Sequence, residues 1–221
     1  MKKREVINLA TVAMGIIVFL SAAIAKSNIS MQQAPAEAQE STLKEQAKRA
    51  GGRLLHQPEP DRSIIYSGIE ELLDGSKVVI VGYTQSNRCQ LRPDGKFVTT
   101  DFHVKVVEVI KGNVKKDEMI LLSSPGGFYR FFEPDGAVDV MVRVKGYKHP
   151  LNGRTYVFFL DHPKADRGYV LTGGPQGQYD ITDGVVHPAN QRVKDPLVAK
   201  YLDKDVTSFL EEIRSAARKK R

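Results

Sequence analysis

Acid–base, nucleophilic or metal chemistry would have to come mainly from five histidines and the single cysteine, Cys89. The histidines are scattered along the chain at His56, His103, His149, His162 and His187. No two of them have the spacing of a metal pair on a helix or turn, and Cys89 has no cysteine partner. We therefore expect no metal site and no cofactor. We expect Cys89 to be a small buried side chain, the alternative being a reactive or intermolecular thiol.

Two Asp/His combinations leave an exported hydrolase open as an alternative. Such an enzyme would need at least two of four side chains to meet in one pocket: Asp101, His103, Asp161 and His162. Adjacent residues of a strand point to opposite faces, which favours a strand-end or loop role for Asp161 and His162. The glycine-rich stretch 173–177 lacks the lysine of a phosphate-binding loop and leads into β sequence, so it indicates a turn. No catalytic residue is therefore predicted.

One segment has the composition of a recognition site. Residues 126–132 are Gly-Gly-Phe-Tyr-Arg-Phe-Phe, and aromatic side chains and arginine dominate binding hot spots. The candidate binding residues are Phe128, Tyr129, Arg130, Phe131 and Phe132. If the segment is extended, Phe128, Arg130 and Phe132 share one face, and the two glycines free the backbone to present them. The alternative is that the aromatic side chains complete the hydrophobic core.

The net charge of +7 does not indicate a nucleic-acid partner. The excess of positive charge is confined to the two ends of the chain, because residues 6–213 carry equal numbers of basic and acidic side chains. A groove that binds a polyanion should leave surplus lysine and arginine inside the folded domain. Nucleic acid is therefore excluded from the expected partners.

The N-terminal 25 residues have the layout of an export signal. Lys2, Lys3 and Arg4 precede an uncharged, largely apolar run over 6–25 that ends in Ala23-Ile24-Ala25. Small residues at these positions suit cleavage by a signal peptidase. The alternative is an uncleaved membrane anchor at 6–25, since twenty helical residues are about 30 Å long and span a bilayer core. In both cases the rest of the chain is exported, to the periplasm or the extracellular space.

The remaining sequence predicts a linker, a β-rich domain and a terminal helix. Residues 26–62 are poor in large apolar side chains and predict a disordered linker. Residues 63–190 predict a mainly β domain, with a short helix at 67–73 capped by Ser67. Its longest strand, 97–110, changes its apolar side partway, which requires a bulge or the strong coiling of a small barrel. Residues 191–221 predict an amphipathic helix with a basic tail, whose Phe209 side docks on the domain.

The order of these motifs carries a resemblance. After the short helix come SKVVIVG at 76–82, a strand ending in VIKG at 109–112, a Gly-Gly loop at 126–127, NGRTYVFFL at 152–160 and GGPQGQY at 173–179. This order resembles a group of exported bacterial proteins of uncharacterised role, whose barrel is similar to the OB-fold domain of tissue inhibitors of metalloproteinases. The resemblance covers roughly residues 63–187 and implies a closed or partly closed OB-like barrel. It does not imply protease inhibition, because those inhibitors act through a disulfide-tethered N-terminal cysteine.

The sequence thus favours an exported, non-enzymatic β-barrel module that binds a protein, peptide or glycan outside the cytoplasmic membrane. One alternative is the hydrolase described above. Another is a structural protein of the envelope, anchored through 6–25 and carrying a basic tail at its other end.

Overall fold

The computed structural model describes residues 41–59, 64–162, 168–190 and 195–219, all of which belong to one unit of the chain, Glu40–Arg221. The predicted signal or anchor at 1–25 lies outside the described residues, as do parts of the predicted linker and the last two residues of the basic tail. Within the described ranges the prediction of a mainly β protein is confirmed.

Ten strands and four α-helices make up the described part of the chain. The helices are α1 (Leu43–Arg49), α2 (Ile69–Gly75), α3 (Pro196–Tyr201) and α4 (Val206–Arg218), and a 3₁₀ turn spans Gly174–Gly177. The strands are β1 (Arg53–His56), β2 (Val78–Leu91), β3 (Val98–Lys111), β4 (Met119–Pro125), β5 (Gly127–Glu133), β6 (Gly136–Val142), β7 (Thr155–Asp161), β8 (Val170–Leu171), β9 (Gln178–Asp180) and β10 (His187–Pro188).

The larger sheet has the strand order β10-β9-β7-β2-β3-β4, and β8 pairs with β7. Its centre is the long hairpin of β2 and β3, two strands of 14 residues each. The register of this pair shifts at three places, the last of them between Thr84 and Ser86. These irregularities increase the local twist, as the sequence predicted for so long a strand.

The segment at β8 contacts two strands of the larger sheet, β4 and β7. Tyr169 donates its backbone N–H to the Leu121 carbonyl of β4 at 2.7 Å and accepts from the Ser123 N–H at 2.8 Å. Two residues later, Leu171 pairs with Leu160 of β7. This short segment therefore lies between β4 and β7.

The larger sheet is buried on both faces. One face packs against α2, α3 and α4 in a cluster that contains Tyr179, Tyr201, Phe209 and Ile213. The other face carries a second cluster around Phe102 and the remaining apolar side chains of β7. The predicted docking of the C-terminal helix through Phe209 agrees with this packing. The prediction that Ser67 caps α2 is wrong. Gly68 occupies the N-cap position, and Ser67 instead donates hydrogen bonds to the Glu71 carboxylate.

The smaller sheet has the order β1-β6-β5. Of the predicted disordered linker over 26–62, the structure describes 41–59, and there it shows a helix and a strand instead. Residues 43–49 form α1, whose capping box joins Thr42 and Glu45. Leu43 and Ala47 of this helix are buried, and β1 pairs in parallel with β6. The linker prediction relied on a low count of large apolar side chains, but an N-terminal cap and two well-placed apolar residues are enough to order this stretch.

Candidate binding surface

The strand that carries the predicted recognition residues begins at a close crossing of backbones. Gly126 and Gly127, with φ of 94° and 140°, turn the chain out of β4 and into β5. A side chain on Gly127 would overlap the Thr100 hydroxyl and approach the Cys89 sulfur to 2.8 Å. The two glycines are therefore required for tight packing and for a backbone region that other residues rarely adopt. The sequence predicted that the two glycines free the backbone, whereas in the structure they fix the start of β5.

Side chains of β5 alternate between solvent and core. Phe132 is 86% exposed and Phe128 is 42% exposed, and Arg130 between them is exposed as well. Tyr129 and Phe131 are half-buried and pack against the core of the smaller sheet. The shared face of Phe128, Arg130 and Phe132 is as predicted. The five candidate residues are thus divided, with two completing the core and three directed to solvent.

The inner side of the smaller sheet has a complete core. Tyr129 and Phe131 meet edge to face with ring centroids 4.9 Å apart, and both contact a cluster contributed by α1, β6 and the tip of the β2–β3 hairpin. At the end of β5, Glu133 forms ion pairs with Lys44 at 2.5 Å and Lys48 at 2.7 Å. These contacts hold α1 and β5 together and stiffen the sheet behind its solvent-exposed side.

The solvent-exposed side, here called the outer face, contains a row of apolar side chains. Phe128 lies opposite Met141 of β6, and Met141 lies opposite Leu55 of β1. Leu55 is 55% exposed. The full outer face consists of Arg53, Leu55, Phe128, Arg130, Phe132, Ala137, Asp139 and Met141. Cross-strand neighbours of this kind are close enough to form one contact surface.

Sequence reasoning missed Leu55 and Met141. Leu55 lay in the predicted linker, and Met141 lay on the less apolar side of an alternating strand. The only available signal was the apolar pair Leu54-Leu55 within an otherwise polar stretch.

A charged row lies beside the apolar row. Arg130 donates two hydrogen bonds to Asp139, at 2.6 Å from Nε and 2.9 Å from Nη2. The Arg130 hydrogen bond lowers the pKa of the Asp139 carboxyl, and nearby Arg53 lowers it further. The Arg130 guanidinium carbon also lies 5.6 Å from the centre of the Phe128 ring. A bidentate pair with an added ring contact fixes the Arg130 guanidinium in place without a ligand.

An open cleft of about 230 Å³ adjoins the outer face at Gly127 and Met141. Arg143 and His149 also line it. Burial lowers the pKa of His149, and its Nε2 donates a hydrogen bond to the Pro125 carbonyl at 2.9 Å. Burial thus disfavours the charged imidazole, and Arg143 brings the permanent positive charge of the cleft.

The four residues of the hydrolase alternative lie in two separate places. Asp101 accepts a hydrogen bond from Gln90 at 2.8 Å, and His103 is bonded to Ser86 at 3.2 Å. Asp161 instead accepts from the backbone N–H of His162 at 2.7 Å. The strand β2 passes both places, pairing Ser86 with His103 and Val78 with Leu160. Eight residues of strand separate them, which is roughly 25 Å.

The other predicted sites can be placed only within residues 41–59, 64–162, 168–190 and 195–219. Within those ranges no three His, Cys, Asp or Glu side chains are grouped so that they could hold a metal ion. Cys89 is only half-buried, and its sulfur lies 3.3 Å from the Thr100 hydroxyl. No helix of the described part is long and apolar enough to cross a membrane, and the possible anchor at 6–25 lies outside that part.

Comparison with known proteins adds no identity. The chain matches no protein-family model and no curated protein.

Proposed function

We propose that this chain is an exported, non-enzymatic module that binds a protein, peptide or glycan outside the cytoplasmic membrane through the outer face. One observation carries the proposal: Leu55, Phe128 and Phe132 leave large apolar areas in solvent on one side of a sheet whose other side has a complete core. Full burial of each such side chain stabilises a protein by about 1.5–3 kcal/mol. The fold does not use this stabilisation, whereas a partner that covers the face would.

Preorganisation of the outer face supports the same proposal. A flexible loop must lose side-chain and backbone freedom when it binds, which weakens affinity. Here the aromatic side chains project from a strand paired with β6, and Arg130 is held by Asp139. These side chains are therefore held in place by the fold, and they lose little conformational freedom when a partner binds.

Removal of the exposed rings tests the proposal. In the full chain, Phe128→Ala and Phe132→Ala should leave the melting temperature nearly unchanged, because neither ring belongs to a core cluster. Each should reduce capture of a partner from the native envelope by about tenfold or more, as expected for hot-spot aromatics. Leu202→Ala is the control, because Leu202 is 53% exposed and belongs to another part of the surface. Equal capture by all three variants and the wild type would refute the proposal.

Export is the second part of the proposal. It rests on the basic start, the apolar run at 6–25 and the small residues before the expected cut. Fusion of residues 1–40 to a reporter that is active only outside the cytoplasm should give signal. A silent but stably expressed fusion would remove the exported location, and N-terminal sequencing of the mature chain would distinguish a cleaved signal from an anchor.

We further propose that the larger sheet closes into an OB-like barrel, in keeping with the resemblance to exported bacterial proteins and to the inhibitor domain. The supporting contacts are the hydrogen bonds of Tyr169 to β4 and the pairing of Leu171 with β7. Closure predicts slow hydrogen exchange at the amides of Tyr169 and Ser123. Exchange as fast as in an open loop would favour an open sheet instead.

A further inference from the structure

The proposed binding surface carries an excess of positive charge. The outer face and the adjoining cleft contain Arg53, Arg130 and Arg143 but a single carboxylate, Asp139. Arg130 neutralises Asp139 through their bidentate pair. Within the described ranges neither Arg53 nor Arg143 forms an ion pair with another side chain. As far as the described part of the chain shows, both guanidinium groups are therefore available to a ligand.

The nearby acidic side chains do not cancel this charge. Glu133 is bound by Lys44 and Lys48, and Lys145 is paired with Glu59 at 2.8 Å. Asp135 also lies near Lys48 and acts on its charge, so three basic and three acidic groups balance one another at the margins of the surface. Burial disfavours the charged form of His149 in the cleft. The excess is therefore local to the rows that a ligand would cover.

The two free arginines flank the apolar row. Arg53 pairs with Asp139 across the sheet, one row to one side of Met141, and Arg143 follows β6 on the other side. Residues two apart in a strand are separated by about 7 Å. The apolar row of Phe128, Met141 and Leu55 thus has a guanidinium on each side, in an arrangement that matches apolar groups bordered by anions.

We infer that the outer face binds an acidic peptide segment, either free or part of a larger protein, in which apolar side chains are bordered by carboxylates. This inference rests on the proposed function and specifies its partner. The apolar side chains of the segment cover Phe128, Met141 and Leu55, and its carboxylates meet Arg53 and Arg143. Arginine favours carboxylate ligands because its planar donors match the two oxygens. Charge complementarity of this kind also speeds association and selects against basic partners.

A designed peptide pair tests the inference with the full chain. One labelled peptide combines Leu, Phe and Glu in an amphipathic order, and its counterpart has Lys at every Glu position. Fluorescence anisotropy should detect binding of the acidic peptide alone. Arg53→Gln and Arg143→Gln should each weaken that binding about two- to fivefold, as expected for exposed charge pairs, and Phe128→Ala should weaken it further. Added salt should also reduce affinity, since the charges are exposed.

Controls separate this inference from the proposed function. Arg88→Gln, an exposed arginine of β2, should bind the acidic peptide as the wild type does. Equal binding of both peptides, or acidic binding that ignores all outer-face substitutions, would overturn the inference. So would Arg53-dependent sedimentation of the chain with phosphatidylglycerol vesicles in the absence of peptide binding, because that result indicates a lipid surface. If the peptide fails to bind while envelope capture still depends on Phe132, the partner class is wrong and the proposed function stands.

Discussion

Two seven-residue strands, β5 and β7, are both rich in aromatic residues but differ in how many of these rings they bury. The strand β7 contains Tyr156, Phe158 and Phe159, and all three rings are buried. The strand β5 contains four aromatic residues, yet only Tyr129 and Phe131 contact a core cluster. The difference lies in their surroundings. The strand β7 lies between β9 and β2 in a sheet covered on both faces, whereas β5 ends a three-stranded sheet with one face covered.

This comparison shows that aromatic content alone does not identify a core strand. Periodicity is more informative: Arg130 interrupts the apolar run of β5 at the position between two outward rings, whereas β7 has no charged residue between Thr155 and Leu160. A continuous apolar run is typical of a strand buried on both faces, and alternation is typical of one exposed on one face. The exposed rings of β5, Phe128 and Phe132, therefore add little to the core of the smaller sheet.

The largest expected effect is the difference in stability between rings of the two strands. Phe158→Ala should lower the free energy of unfolding by about 3–5 kcal/mol, because the ring is fully buried and its removal leaves a cavity. Phe132→Ala should change it by no more than about 0.5 kcal/mol. Urea denaturation of each variant measures both values. Comparable losses in the two variants would mean that β5 and β7 do not differ as described.

The second prediction compares two leucines of the smaller sheet region. Leu43 of α1 is 1% exposed, so Leu43→Ala should cost about 2–5 kcal/mol of stability. Leu55→Ala, on the outer face, should cost less than about 1 kcal/mol, because that side chain is already largely in water. Thermal melts of the two variants decide the matter. A neutral Leu43→Ala would return residues 41–59 to the disordered linker that their composition predicts.

Glu212, on the helical side of the larger sheet, should make the stability of the protein sensitive to acid. Partial burial alone would raise the pKa of this carboxyl, but hydrogen bonds from Lys200, Lys204 and Tyr201 outweigh burial and lower the pKa to about 2. Because the folded pKa lies below the unfolded value, the stabilisation is present above about pH 4.5 and is lost as pH falls towards 2. The loss should be about 1–2 kcal/mol after allowance for solvent screening.

Unfolding by urea across this pH range measures that loss. Glu212→Gln should show a flatter dependence of stability on pH than the wild type. Glu211→Gln, on the exposed side of the same helix, is the control and should follow the wild type. A Glu212→Gln profile that superimposes on the wild type would show that this carboxyl does not carry the acid sensitivity.

The smallest expected effect concerns the ion pair on the outer face. Arg130→Ala should leave the free energy of unfolding nearly unchanged, since exposed ion pairs contribute little to folding. Its effect on capture of a partner should be much larger than its effect on melting. Thermal melts and capture assays of Arg130→Ala, Asp139→Ala and the double variant provide the comparison. A destabilisation as large as that of Phe158→Ala would assign Arg130 to the fold.

Some features of the fold and of the candidate site follow from local sequence patterns, whereas others depend on which segments meet in the folded chain. The alternation in 126–132 was enough to place Phe128, Arg130 and Phe132 on one face, and the 3.6-residue period of the C-terminal segment was enough to indicate its docking through Phe209. The role of Gly127 was not predictable, because it depends on Thr100 and Cys89, which approach only in the folded chain.

The apolar row was not predictable for the same reason. It joins three strands that are distant in sequence, and β1 reaches it through a parallel pairing with β6. Single-strand periodicity indicates which side of a strand is exposed, but it does not indicate which strands are neighbours. Leu55 therefore looked like part of a polar linker until its register with Met141 was known.

A comparison of Leu55 with Leu202 tests most directly whether the outer face is the binding surface. The two leucines are 55% and 53% exposed, respectively, and lie in different parts of the surface. The Leu55→Ala and Leu202→Ala variants of the full chain are used to capture partners from the native envelope. Recovery is compared with that of the wild type once the three proteins have been shown to have the same melting temperature. If the outer face is the binding surface, recovery should fall clearly for Leu55→Ala and stay at the wild-type level for Leu202→Ala. Equal recovery by both variants, or a loss confined to Leu202→Ala, would contradict the assignment of the outer face as the binding surface.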